Sequence, residues 1–254
     1  MSHLPSVQEF KKEHKLPRHV AIVMDGNSRW ATANKKSVRA GHRAGVDTVR
    51  SLIEVCPTYE IEVLTLFAFS TENWQRPAYE VKTLLGLLSW ALRSETPKLH
   101  ENNVRLQIIG SRDKFPERVI SRIEWAEELT KDNTAWTLVV AVDYGGRWDI
   151  AEATKRIAQD LCDNKITSSD ITPELLDQHM SLSDMPLPDL CIRTAGDHRI
   201  SNFMLWQFAY TEFYFTDVYW PDFDEQAFKT ALFDFGKRQR RFGKRDAELT
   251  ESSE

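Results

Sequence analysis

His19-Val20-Ala21-Ile22-Val23-Met24-Asp25, running without a break into Gly26-Asn27-Ser28-Arg29-Trp30, is the stretch on which the fold turns. Its apolar part is continuous rather than alternating, so it reads as a strand buried on both faces, the signature of a parallel sheet. It ends in a carboxylate and a polar, glycine-bearing turn. Five further runs resemble it: 63–70 (VLTLFAFS), 105–110 (RLQIIG), 137–144 (TLVVAVDY), 189–194 (DLCIRT) and 213–219 (FYFTDVY). Segments with helical periodicity separate most of them, at 41–56, 77–100, 116–130, 148–163, 200–211 and 224–241. A further short helix is expected at 173–180. Strands alternating with helices predict one α/β domain with a central, mainly parallel six-stranded sheet flanked by helices on both faces.

Polar clusters follow four of these runs: Asp25–Trp30, Ser70–Arg76, Asp143–Asp149 and Arg193–Ser201. In a parallel α/β sheet the carboxyl ends of the strands form the ligand edge, so four such clusters converge on one mouth. Gly26 permits a tight turn, and Arg29 offers a planar charged fork suited to phosphate oxygens. Asp25 repels a phosphate unless a cation lies between them, and Mg²⁺ binds through one or two carboxylates plus phosphate oxygens. An ordinary helix cap fits Asp25 equally well. Ser70-Thr71-Glu72-Asn73-Trp74-Gln75-Arg76 is, on its own, a polar loop before a helix that Pro77 starts. Arg193, Arg199 and Ser201 suit a diphosphate clamp. His198 and Glu212 read either as metal ligands or as a structural histidine and a surface glutamate. Lys237–Arg245 is a basic run, either a solvated helix end or a contact for phosphate or an anionic membrane.

With 254 residues and a formal charge of −5, the chain lacks the net basic footprint that general nucleic-acid binding needs, so no nucleic acid is expected as partner. Any anionic ligand must be held by local arginines. Cys56, Cys162 and Cys191 are far apart with no C-x-x-C pair, which excludes a cysteine zinc site and favours the cytoplasm. The charged first twenty residues predict no signal peptide, and no apolar run reaches the length of a membrane span. No G-x-x-x-x-G-K-[ST] occurs, so the domain is not read as a P-loop enzyme; nor is it expected to be a dinucleotide-binding Rossmann domain.

Taken in order, HVAIVMDGNSRW, GHRAG at 41–45, FAFSTENWQRP, DYGGRWD, DLCIRTAGDHRISNF and YTEFYFTDVYWPDF resemble the cis-prenyltransferase (undecaprenyl diphosphate synthase) family from about His19 to Gly243. The resemblance implies a Mg²⁺-dependent transferase that adds isopentenyl diphosphate stepwise to farnesyl diphosphate, giving a (Z)-polyprenyl diphosphate, the undecaprenyl precursor of the cell-wall lipid carrier. It implies that Asp25 holds Mg²⁺ on a substrate diphosphate, cradled by Gly26, Asn27, Ser28, Arg29 and Trp30, with Arg39 and His42 near the allylic diphosphate. It implies that Ser70 and Asn73 lie beside the reacting carbons, supported by Trp74 and Arg76, with Thr71 and Glu72 of the same loop among the substrate-binding residues. Arg193, Arg199, Ile200 and Ser201 form the isopentenyl diphosphate site, and His198 and Glu212 join Asp25 as metal positions. Arg241-Phe242-Gly243 implies a homodimer in which one subunit reaches the other's site.

This sequence departs from the family pattern at four places. Ser28 and Ala195 stand where glycine is usual, Asp143 replaces an asparagine, and Val38 with Arg39 shifts the expected arginine by one residue. The resemblance further implies an apolar tunnel, walled by Val81, Leu84, Leu85, Leu88 and Leu92 with Leu106, Ile108, Leu138 and Val140. Trp136 lies seven residues before Asp143, roughly 23 Å from the mouth at about 3.3 Å per residue, and is expected as the tunnel's floor. Core packing explains the same residues without a tunnel. The expected layout is a flexible arm over 1–17, a catalytic domain over 18–243 and a disordered tail over 244–254. The expected location is cytoplasmic, with transient contact at the inner membrane face for product release. The alternatives are a short-chain cis-prenyltransferase and a noncatalytic scaffold subunit.

Overall fold

A computed structural model describes residues 5–238. Six strands, β1 (His19–Val23), β2 (Val63–Ser70), β3 (Val104–Ile109), β4 (Trp136–Tyr144), β5 (Leu190–Arg193) and β6 (Glu212–Phe215), form one sheet in the order β3-β4-β2-β1-β5-β6. Every pairing is parallel, so the mainly parallel sheet of the sequence is here wholly parallel. The helices are α1 (Val7–Phe10), α2 (Asn27–Ala33), α3 (Val38–Val55), α4 (Ala78–Glu101), α5 (Glu117–Thr130), α6 (Gly146–Cys162), α7 (Pro173–His179) and α8 (Glu225–Gly236).

Alternate strand residues divide the core between the two faces of the sheet. Val20, Ile22, Leu64, Leu66 and Leu138 pack with Leu52, Leu92, Ile123 and Phe228. Ala21, Val23, Val139 and Ala141 pack on the other side with Phe203, Met204 and Phe208. Near its carboxyl end β2 slips register between Phe67 and Phe69 and again before Ser70. Such irregularities re-aim side chains beside a site, and here the next residues carry the Ser70–Arg76 cluster.

Two expectations about local structure need amending. Residues 5–17, expected as part of a flexible arm, lie against the domain: Phe10 is buried and its ring stacks on Phe233 at 3.9 Å. The helix expected over 200–211 does not form. Ser201, Asn202 and Met204 adopt positive φ, and only a short 3-10 turn at Gln207–Tyr210 is helical. Tertiary contacts override the local periodicity. The Asn202 carbonyl accepts the Gly146 N–H at 2.6 Å, its side chain accepts the Arg147 N–H at 3.0 Å, and Phe203 and Met204 are buried.

His19, the first residue of the decisive stretch, is wholly buried. Its Nδ1 meets the Pro186 carbonyl at 2.7 Å, so that nitrogen carries the proton and Nε2 accepts from the Thr65 hydroxyl, also at 2.7 Å. Burial pushes the imidazole pKa down from 6.5 to about 4, the Pro186 hydrogen bond opposing that shift only in part. The unfolded chain therefore binds a proton that the folded chain refuses. Stability is fully present above pH 6.5 and falls as the pH is lowered through the window toward 4, by about 3 kcal/mol in all. Urea midpoints measured across that window should show the slope, and His19→Gln should flatten it. A slope unchanged in His19→Gln would assign the acid sensitivity to other groups.

Candidate active site at the carboxyl edge of the sheet

Neighbouring strands β1 and β5 deliver the first two groups. Asp25 follows β1 and Arg193 ends β5. Thr194 ties the two ends together, accepting the Asp25 N–H at 3.0 Å and donating to the Asp25 carbonyl at 2.7 Å. Gly26 turns the chain into α2 at φ 100°, and a Cβ there would lie 2.8 Å from both Ala195 Cβ and the Tyr219 ring. Only glycine fits both the conformation and the space. The GHRAG stretch serves packing: a Cβ on Gly45 would lie 2.4 Å from Asn27 Oδ1, so α3 closes directly on the start of α2. Trp220 locks this junction, donating its indole N–H to the Gly45 carbonyl at 2.9 Å and its backbone N–H to the Asp25 carbonyl at 3.0 Å.

The charges at the mouth form one network. Arg193, with its side chain 5% exposed, donates to Asp25 at 2.8 Å, to Ser201 Oγ at 2.7 Å and to the Arg199 carbonyl at 2.5 Å. Arg29 lies 3.2 Å from Asp25 and donates to the Ala195 carbonyl at 2.9 Å. Asp197 stands where the arginines converge, 3.0 Å from Arg199 and 3.4 Å from both Arg29 and Arg193. Three guanidiniums against two carboxylates leave a local positive excess in an acidic chain. Burial alone would raise the Asp25 carboxyl, but Arg193, the Gly26 N–H at 2.7 Å and Arg29 together hold it below its ordinary value. It is ionised at neutral pH.

β2 supplies the opposite wall. Asn73 Oδ1 accepts the Ser70 N–H at 3.1 Å, while the Ser70 side chain accepts the Asn73 N–H, so each fixes the other. Glu72 accepts from Asn202 at 2.9 Å. Arg76 pairs with Glu80 at 2.7 Å. The His42 pKa is lowered, chiefly by burial and then by Arg76, and Nε2 has no hydrogen-bond partner. The ring is therefore neutral at pH 7.

A cavity of about 1050 Å³ opens at this mouth, and Asp25, Gly26, Asn27, Ser28, Arg29, His42, Ser70, Glu72, Asn73, Arg76, Arg193, Arg199 and Ser201 line it. It continues between α3, α4 and the sheet, past Leu84, Leu85, Leu88 and Leu92 and over Leu106, Leu138 and Val140. Of the apolar residues expected along a tunnel, Val81 and Ile108 are buried outside this lining.

Other expected residues lie apart from the cavity. Trp30 donates its indole N–H to Asp222 at 2.7 Å, with Lys36 over its ring. Arg39 is exposed on α3. Thr71 sits beside Gly145, Trp74 packs against Phe69 and Phe115, and Ile200 packs into the second core. The joint metal set of Asp25, His198 and Glu212 is not assembled within one chain. Glu212 opens β6 opposite Leu190, at the amino edge, on the order of 10 Å along the strand from the mouth. Its carboxylate instead accepts from Arg238 at 2.9 Å. His198 is exposed and leans on the Phe215 ring at 4.9 Å. Arg241, Phe242 and Gly243 lie outside the described residues. The sequence reading passed over Asp197, Thr194, Asn202 and Trp220, although Asp197 stands between two arginines already singled out.

The departures from the family pattern are accommodated. Ser28 is exposed, and Asp143 takes φ 49°, a conformation that asparagine and aspartate share more readily than other residues. Ala195 holds φ 71°, where glycine is easier.

Fold and mouth together define a protein of the cis-prenyltransferase class. The chain belongs to the family described as "Putative undecaprenyl diphosphate synthase", which matches residues 23–243. Among curated relatives, the ditrans,polycis-undecaprenyl-diphosphate synthase ((2E,6E)-farnesyl-diphosphate specific) of Pseudomonas aeruginosa is 53% identical, covering 94% of this chain and 95% of its own. The protein of the same description from Escherichia coli is 51% identical, over 90% and 92% of the two chains. Two solved structures share the fold. Lavandulyl diphosphate synthase from Lavandula x intermedia, in complex with dimethylallyl diphosphate, is 36% identical with a TM-score of 0.87 and covers 90% of this chain and 99% of its own. A "probable undecaprenyl diphosphate synthase" from Campylobacter jejuni is 37% identical with a TM-score of 0.75 and the same coverage.

Proposed function

We propose that the chain condenses isopentenyl diphosphate repeatedly onto farnesyl diphosphate, making undecaprenyl diphosphate with new Z double bonds, the precursor of the cell-wall lipid carrier. One observation carries this reading: an arginine-rich anion site opens directly onto a long apolar cavity of about 1050 Å³. A diphosphate with a hydrocarbon tail has that shape and polarity. The farnesyl diphosphate specificity in the names of the Pseudomonas aeruginosa and Escherichia coli relatives agrees with it.

Arg193, Arg199 and Ser201 bind and orient one diphosphate, and Arg29 with the turn at Gly26 receives the other. Asp25 is the carboxylate for Mg²⁺. No cluster of three metal-binding side chains occurs among the described residues. One ionised carboxylate together with substrate phosphate oxygens suits the ion. When bound, Mg²⁺ neutralises charge on the diphosphate. Asn73 positions the reacting alkene rather than removing its proton: its carbonyl oxygen is already engaged by the Ser70 N–H, and a carboxamide is a very poor base. A diphosphate oxygen or a water takes the proton from C2 of isopentenyl diphosphate. Orientation of this kind contributes about 7–11 kcal/mol at best.

The apolar cavity is the tunnel for the growing chain. Burial is worth about 0.8 kcal/mol per CH₂, so each added unit binds several kcal/mol more tightly and release into water is slow. A transient membrane-surface contact assists release, and the working unit is a homodimer. No helix among the described residues is long and apolar enough to cross a membrane.

The reading is tested by omission. Isopentenyl diphosphate should be consumed only when farnesyl diphosphate and Mg²⁺ are both present, and EDTA should abolish turnover. Consumption without an allylic partner would exclude the proposal. Chain length is expected to answer to Trp136, which continues the row Leu138, Val140 and Val142 one position deeper on the same side of β4. Trp136→Ala should give longer products while the early condensations keep their rate, and an unchanged distribution from a folded variant would move the floor elsewhere.

A further inference from the structure

Asn202 joins three parts of the mouth that are remote in sequence. It directly follows Arg199, Ile200 and Ser201 in the loop after β5, and it lines the main cavity. Its backbone carbonyl and side-chain Oδ1 accept the Gly146 and Arg147 N–H groups, at 2.6 and 3.0 Å. Both N–H groups lie in the first turn of α6, where a helix offers them no partner of its own. The loop is thereby tied to the end of β4, a strand paired on both sides. The amide N–H₂ remains, and Nδ2 donates to Glu72 at 2.9 Å. Glu72 belongs to the same short turn, Thr71–Gln75, as Asn73.

Packing leaves this junction little freedom. Gly145 has an extended backbone, so its conformation does not call for glycine. Space does: a Cβ there would lie 2.5 Å from Asn202 Nδ2 and 2.8 Å from Thr71 Oγ1. Burial works against charge on Glu72, yet the Asn202 amide, the Glu72 N–H and the Ser70 and Thr71 hydroxyls hold its pKa below the ordinary value. The carboxylate is ionised at neutral pH, so its bond from Asn202 is charge-assisted, the stronger kind. Asn202 itself holds φ 62°, a left-handed conformation that asparagine adopts more readily than most residues.

A residue held at both its carbonyl and its amide transmits a fixed distance. We infer that Asn202 is a positioning residue, setting the separation between the clamp at Arg199 and Ser201 and the turn that carries Asn73. This rests on the condensation proposed above, in which an alkene held by one loop must meet an allylic carbon beside the other. A misplacement of about 1 Å between reacting groups costs on the order of 10²-fold in rate.

The test uses the full chain with farnesyl diphosphate, isopentenyl diphosphate and Mg²⁺. Asn202→Asp keeps the size and the acceptor for the Arg147 N–H but sets a carboxylate against Glu72. Its kcat should fall on the order of 10–10²-fold, with KM for each diphosphate within about threefold of the parent. Two facing carboxylates take up one proton more readily than a lone one, and that proton restores an O–H donor. The ratio of variant to parent kcat should therefore rise as the pH falls from about 8 to about 6. Adding Glu72→Gln reverses the hydrogen bond, the new amide now donating, and should raise kcat about tenfold over Asn202→Asp at neutral pH. Glu72→Leu removes the acceptor while Asn202 keeps Gly146 and Arg147, and it should lower kcat likewise, which decides the matter even if Asn202→Asp does not fold. Parental kcat in Glu72→Leu or in folded Asn202→Asp overturns the inference, as does a loss confined to KM or a double variant no faster than Asn202→Asp. Each of those results leaves the proposed function intact. A parent protein that consumes no isopentenyl diphosphate removes both.

Discussion

Asp25→Ala is expected to lower kcat on the order of 10³-fold or more, with little change in the thermal midpoint. The loss follows from charge. Asp25 is the ionised carboxylate at the mouth that remains free enough to share a cation with a diphosphate, its side chain 30% exposed. The fold should survive, because Arg193 keeps Ser201, the Arg199 carbonyl and Asp197 as partners. Asp25→Asn separates charge from shape: the amide fills the same space but cannot neutralise a metal ion, so its activity should fall almost as far. Because the folded pKa of Asp25 is depressed, the group is fully ionised above the ordinary carboxylate value. It loses its charge, and any stability that charge contributes, only as pH falls through the lower folded value. Near-normal turnover in a folded Asp25→Ala protein would show that the metal assignment is wrong.

Arg193→Ala is expected to cut kcat/KM for isopentenyl diphosphate on the order of 10²–10³-fold, mainly by raising KM. Its guanidinium is nearly inaccessible and holds a carboxylate, a hydroxyl and a carbonyl at once. Removing it leaves Asp25 without its nearest cation and frees Ser201. Lysine keeps the charge but not the planar fork, so Arg193→Lys should recover only a small part of the loss. Steady-state kinetics with each substrate varied in turn provides the check. A wild-type KM in Arg193→Lys would mean that the arginine supplies only charge to the site.

Much of this layout is legible in the sequence because it rests on short-range rules. The run 19–25 has the composition of a doubly buried strand, and the carboxyl-edge rule then brings Asp25, Ser70 and Arg193 to one mouth without any coordinates. Long-range contacts are not legible in the same way. Residues 200–211 have the spacing of a helix, yet the bonds from Asn202 to Gly146, Arg147 and Glu72 hold them in turns. Glu212 belongs to a motif that suggested a metal site, but the register of β6 against β5 carries it to the far edge and gives it to Arg238. Trp220 closes on the Asp25 turn from nearly two hundred residues away, which no local pattern records. Asp197 was visible as a charge between arginines, but not as the point where three of them converge.

Incubation of the pure protein with farnesyl diphosphate, labelled isopentenyl diphosphate and Mg²⁺, with the products resolved by mass and by double-bond geometry, bears most directly on the central claim. The account predicts one dominant product, undecaprenyl diphosphate, with every new bond Z. A product that stops after one or two additions, new bonds of E geometry, or no condensation at all would contradict it.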